Sequence, residues 1–120
     1  MKISFLTCFG GLTMCRKERE ENWNEILDSK NRIYSRYVFS IDFKRIEEFA
    51  IVYVSQIQGK TVEILRYDCS KEEGVHVHKF YLKPTRKRYL NKEKNFDTII
   101  ELTNHIRENW GIYWIKFLEK

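Results

Sequence analysis

The chain is poor in the residues that interrupt regular structure. Among its 120 residues there is one proline, Pro84, and only five glycines, which leaves little room for long loops. No apolar run approaches the ~20 residues needed to span a bilayer as a helix, so no membrane partner is expected. Three cysteines, an odd number, do not make a disulfide framework. Cys8 and Cys15 have six residues between them, against roughly two to four in a zinc knuckle. No secretory context accompanies them, so the thiols read as reduced and the protein as cytoplasmic. There is no Gly-rich phosphate loop, no Ser/His/Asp set in a recognisable context and no zinc-finger spacing. Internal repeats and low-complexity segments are also missing.

What is present describes a compact chain. Apolar residues make up 42% and aromatics 15%, which excludes a disordered tail, and the length suits one domain. The net charge is +5, but it is concentrated. The stretch 79–94 holds Lys79, Lys83, Arg86, Lys87, Arg88, Lys92 and Lys94 against Glu93 alone, so it carries +6 by itself. Cations this dense, interleaved with Phe80, Tyr81 and Tyr89, suit a surface for RNA or single-stranded DNA, because they neutralise phosphates while the rings stack on bases. The competing reading is a solvated loop or an edge strand guarded by lysine.

Along the chain, residues 1–15 are apolar with Lys2 as their one charge. They read as an N-terminal extension or a short strand over Ile3–Phe9 ending at Gly10-Gly11. A weak signal peptide and a gene start placed upstream of Met14 are the alternatives. Residues 16–120 read as a single α+β domain. Lys17–Lys30 places Trp23, Ile26 and Leu27 at helical spacing, which predicts an amphipathic helix. Tyr37–Lys44 alternates cleanly and predicts a strand. Further strands are expected at Phe49–Ile57, Val62–Asp68 and Val75–Leu82, joined by connections too short for a crossover helix. Asn95 suits an N-cap for a helix to about Trp110 with Phe96, Ile99, Ile100, Thr103 and Ile106 buried. Gly111 would end or kink it before a second helical stretch, Ile112–Leu118. The expected architecture is a four-stranded antiparallel meander, with an N-terminal helix and one or two C-terminal helices packed on the sheet.

The most specific local feature is Val75-His76-Val77-His78. Residues two apart in a strand share a face roughly 7 Å apart, so both imidazoles enter the same space. They suit a pair of metal ligands or an acid/base pair. The preceding strand ends Leu65-Arg66-Tyr67-Asp68. A register pairing Asp68 with His76 and Arg66 with His78 brings all four to one face, whereas a one-residue shift sends Arg66 and Asp68 to the other. In the first register Asp68 orients a histidine or completes a divalent-metal site, and Arg66 holds a phosphate. Without a metal, one histidine would act as base and the other as acid in RNA cleavage, with Arg66 stabilising the phosphorane. Cys69 is near enough to be a further ligand. His105 stands alone on its helix beside Glu101 and Glu108 and is expected at the surface.

The run Arg66-Tyr67-Asp68-Cys69-Ser70 followed by His76-Val77-His78 resembles the hairpin of small prokaryotic proteins grouped with the TumE-type toxins. That resemblance spans roughly Tyr37 to Leu82. It implies a small α+β protein encoded beside an antitoxin and acting on nucleic acid; the site itself, His76, His78, Asp68 and Arg66, rests on the reading of the hairpin above. The His-hydrophobic-His strand is also similar to that of HUH single-strand endonucleases, which pair it with a helical Tyr-x-x-Lys. Tyr113-Trp114-Ile115-Lys116 fits that pattern, and the similarity would make Tyr113 the nucleophile. A different class of reading is a non-catalytic interaction module that forms a homodimer through the charged 17–30 segment and the C-terminal aromatics.

Overall fold

The computed structural model describes residues 2–5 and 19–120. The expectations for Cys8, Gly10-Gly11, Met14 and Cys15 lie outside the described residues. Six strands from Arg19 onward form the body of the sheet: β2 (Arg19–Ile26), β3 (Asn31–Phe39), β4 (Ile46–Ile57), β5 (Lys60–Cys69), β6 (His76–Lys79) and β7 (Arg86–Tyr89). β1 (Lys2–Phe5) pairs with β2 at the edge. All pairings are antiparallel and consecutive, so the sheet is a seven-stranded meander. One helix, α1 (Phe96–Glu119), follows it and packs on β4 and β5. Among the described residues no helix is long and apolar enough to cross a membrane.

The four-stranded expectation therefore needs correction. The predicted N-terminal helix is β2 and a turn. Its sequence, Arg-Glu-Glu-Asn-Trp-Asn-Glu-Ile, is polar on both faces, so three apolar residues at helical spacing carried the expectation. Pairing along the whole of β3, from Arg19↔Phe39 to Ile26↔Arg32, decides the outcome instead. The turn is fixed by Asp28, whose Oδ1 accepts from the Lys30 and Asn31 backbone N–H groups at 2.8 Å each and from Asn31 Nδ2 at 2.9 Å. Those bonds, the one from the Lys30 N–H foremost, hold the Asp28 carboxyl below its ordinary range.

The predicted strand over Tyr37–Lys44 stops at Phe39. Asp42 accepts from the Ser40 hydroxyl at 2.6 Å and the Lys44 N–H at 3.0 Å, and Phe43 takes a φ of 61°. This is local side-chain capture of the backbone, which competes with strand extension. Gln58 and Gly59 join β4 to β5 in a tight hairpin, with φ of 53° and 76°, the left-handed pair that a two-residue turn demands. β6 is shorter than Val75–Leu82 because the chain turns at Phe80. β7 lies in the basic stretch, where an edge strand guarded by lysine is the competing reading, and all four of its residues are exposed.

α1 runs unbroken through Gly111. Asn95 caps it, its side chain accepting from the Thr98 N–H at 2.9 Å, with Asp97 in the first turn and Lys116 in the last complementing the dipole. Ile99, Leu102, Ile106 and Tyr113 face the sheet and are buried, whereas Phe96 and Ile100 are exposed. They meet Ile33, Ile51, Tyr53, Leu65, Tyr67 and Val77, alternate residues of the strands beneath. Tyr53, fully buried, donates its hydroxyl to Asn31 Oδ1 at 2.7 Å, linking the core to the Asp28 turn. Glu25 on β2 accepts from Nε and Nη2 of Arg107 at 2.7 Å each, which ties α1 to a strand beyond β4 and β5.

A Cβ on Gly111 would meet nothing within 4 Å. Gly111→Ala is therefore expected to stabilise the protein by about 0.5–1 kcal/mol, since it lowers the cost of ordering a helix interior position. Urea unfolding followed by circular dichroism checks it, and a loss of stability would contradict the continuous helix.

Candidate metal centre

α1 covers one face of the sheet, so side chains alternate between a covered and an open face. The observed register pairs Asp68 with His76 and Arg66 with His78. Of the two registers open to the sequence, this is the one that brings all four to a common face. β7 adds Tyr89 opposite His76 and Lys87 opposite His78. β4 contributes Ala50 opposite Asp68, and β3 contributes Arg36 opposite Ala50. The result is an open depression of about 440 Å³.

His76 is nearly sealed, with 3% of its surface exposed. Its Nδ1 lies 2.9 Å from the Gly74 carbonyl oxygen. A carbonyl can only accept, so Nδ1 carries a proton and donates it. That leaves Nε2, which lies against Asp68 Oδ1 with Glu73 Oε1 at 3.7 Å. His78 Nε2 is 3.9 Å from the same Asp68 oxygen. One atom each from Asp68, His76 and His78 thus lie within 4.8 Å of one another, and the three could hold a metal ion. A backbone carbonyl fixing the non-ligating nitrogen is the outer-shell arrangement common to metal-binding histidines.

The surroundings are ordered. Arg66 Nη1 stands 3.8 Å from Asp68 Oδ2, and its Nη2 bonds Glu63 at 2.7 Å. The His78 ring stacks on Phe80, with centroids 5.7 Å apart. Burial lowers the His78 pKa, opposed by Asp68 and aided by the charges of His76, Lys87 and Arg66. A lowered value favours the neutral imidazole that a metal or a proton acceptor requires. Glu73 accepts from Lys87 Nζ at 2.7 Å and from the Tyr89 hydroxyl, which together bring its carboxyl down to about 2. Glu73 and Arg36 escaped sequence reasoning, whereas Tyr89 is among the rings expected to stack on bases. Glu73 sits in a turn that read only as polar, and Arg36 lies before the predicted strand over Tyr37–Lys44.

The other expected residues disperse. Lys87 reaches the open face. Arg86 and Arg88 alternate to the covered side with Lys79, Lys83 lies exposed in the turn after β6, and Lys92 bonds Glu101 at 2.7 Å. Cys69 alternates with Asp68 and is buried with the core, where burial raises its thiol pKa. His105 is exposed. Tyr113 stacks on Tyr81 beneath the covered face, with centroids 4.8 Å apart. Burial first, and the charge of Tyr81 second, push its phenol up to about 12. It is not brought to the histidines.

Sheet, helix and donor cluster together define a small α+β domain with a His-x-His/Asp centre on its uncovered face. Residues 12–120 match a family profile described as a domain of unknown function, DUF7718. With nearly the whole chain covered, the protein belongs to the DUF7718 family. No curated protein and no solved structure matches it.

Replacing Lys87 by Met removes the largest influence on Glu73. Its carboxyl should then titrate higher, toward the ordinary value of about 4.3, as read by side-chain carbon NMR. Because the folded value is depressed, the stabilisation that Glu73 contributes is present above about pH 4.3 and fades as pH falls toward 2. The variant should lose that part of the acid dependence.

Proposed function

We propose that this protein binds a divalent metal through Asp68, His76 and His78 and cleaves phosphodiesters of single-stranded nucleic acid. One observation carries the reading: three donor atoms of two types converge on the face opposite α1, which no helix among the described residues covers. Three protein ligands with an open side are the hallmark of a catalytic rather than a structural site. A divalent ion there would supply a Lewis acid for a phosphoryl oxygen.

The protein's own groups then have definite tasks. His76, with its Nδ1 proton given to Gly74, keeps Nε2 aimed at the centre. Arg66 holds the second oxygen of Asp68 and offers its guanidinium to a phosphate. Lys87 and Arg36 supply further positive charge around the depression. Tyr34 and Tyr89, both exposed, stand on the same open face and suit stacking of unpaired bases. The metal-free alternative would draw on the same His76 Nε2, which lies against Asp68, and on His78 beside it. The resemblance of the hairpin to TumE-type toxins points the same way, to a cytoplasmic nuclease restrained by an antitoxin.

Titration calorimetry with zinc or manganese should show one site per chain. His76→Ala or His78→Ala should weaken it about tenfold or more and abolish cleavage of a labelled RNA or single-stranded DNA. Arg66→Ala should keep the metal and lose about 100-fold in rate. A wild-type protein that takes up no metal and leaves both substrates intact would sink the reading. If metal binds but neither strand is cut, the centre serves another reaction.

A further inference from the structure

The basic segment that stood out in the sequence is mostly absent from the metal centre, and its cations gather on the other face. Between α1 and the covered side of β5–β7 lies a cleft of about 500 Å³. Leu65, Val77 and Leu102 form its apolar floor, and Tyr67, Tyr81 and Tyr113 stand along it. Lys79 and Arg88 line it from the β6–β7 side, with Arg86 one pleat away from Arg88 on the same face. Lys116 approaches from α1, its Nζ 5.8 Å from the centre of the Tyr81 ring.

Charge balance here is unusual. Among the described residues none of Lys79, Arg86, Arg88 and Lys116 has a carboxylate within 4.0 Å, whereas Arg36, Arg66, Lys87, Lys92 and Arg107 all do. Of the cleft's two carboxylates, Glu101 is taken by Lys92 and Glu108 stands on the α1 wall, as does His105. Burial lowers the Lys79 pKa, and the repulsion of Arg88, Arg86 and Lys116 lowers it further. Several uncompensated cations at the mouth of an apolar pocket match an amphipathic dianion: the charge relieves the repulsion and the body covers Leu65, Val77 and Leu102. Volume and lining fall in the range of small-molecule sites.

We propose that this cleft binds a small phosphate monoester, with the phosphate between Lys79 and Arg88 and an apolar or aromatic body against Leu102 and Val77. The site is separate from the metal centre. β5, β6 and β7 send alternate residues to each, with Asp68, His76 and Lys87 on one face and Tyr67, Val77 and Arg88 on the other. It does not depend on the nuclease reading.

Phenyl phosphate is the probe, titrated into the isotope-labelled full chain in EDTA and followed by amide NMR. Benzoate and inorganic phosphate run in parallel as the same body without the dianion and the anion without the body. The expected result is a Kd below about 1 mM for phenyl phosphate, at least about tenfold tighter than either control. Shifts should centre on Val77, Lys79, Tyr81, Arg88 and Leu102. Lys79→Met/Arg88→Met should weaken binding tenfold or more, and Arg88→Gln, at an exposed position, repeats the test should the double variant unfold. His76→Ala/His78→Ala should bind as the wild type does. The proposal is overturned if phenyl phosphate does not bind, if benzoate binds equally well, or if shifts cluster on the His76 face. It is equally overturned if a short oligonucleotide binds through Lys79 and Arg88 while phenyl phosphate does not.

Discussion

Among the described residues a single helix lies on the seven-stranded sheet, and it can cover only one face. That limit organises everything else. One set of alternate residues from β3 to β6 must be apolar, and Ile33, Ile51, Tyr53, Leu65, Tyr67 and Val77 supply it. The other set answers to water and is free to carry charge, which is why Arg36, Arg66, Asp68 and His78 can stand side by side without closing a core over them. The strict period of two in a strand turns one covering helix into two chemically distinct surfaces.

Much of this was legible because it rests on alternation. β4 and β5 carry enough Ile, Val and Tyr to declare themselves, the Gln58-Gly59 turn joins them, and Asn95 marks the start of α1. The pairing of Asp68 with His76 was visible as one of two registers. Val77 and Tyr67 settle it, since both are needed under α1 and a one-residue slip would expose them. What was illegible lacks such a signature. β2 reads Arg-Glu-Glu-Asn-Trp-Asn-Glu-Ile, and its strand state is imposed by β3. β7 is held by hydrogen bonds to β6 with no buried side chain of its own. Gly111 looked like a break only because neighbouring sequence is a weak guide to whether a helix has somewhere to lie.

Around the donor cluster each group is oriented by the next. Gly74 fixes the His76 ring, His76 meets one oxygen of Asp68, Arg66 stands by the other, and Glu63 holds Arg66. Across the depression Lys87 and Tyr89 share Glu73. The side chains are thus ordered by protein contacts, and a ligand arriving there would meet groups already arranged, with little further ordering to offset.

β7 closes the meander on one side, and among the described residues its outer backbone groups have no strand to pair with. An uncovered edge is an invitation to another chain's strand. Here the edge reads Arg-Lys-Arg-Tyr, so a second copy approaching in the same way would bring three cations against three more. Colloidal behaviour follows: the molecule guards its weakest border by like-charge repulsion, a defence that added salt would thin out.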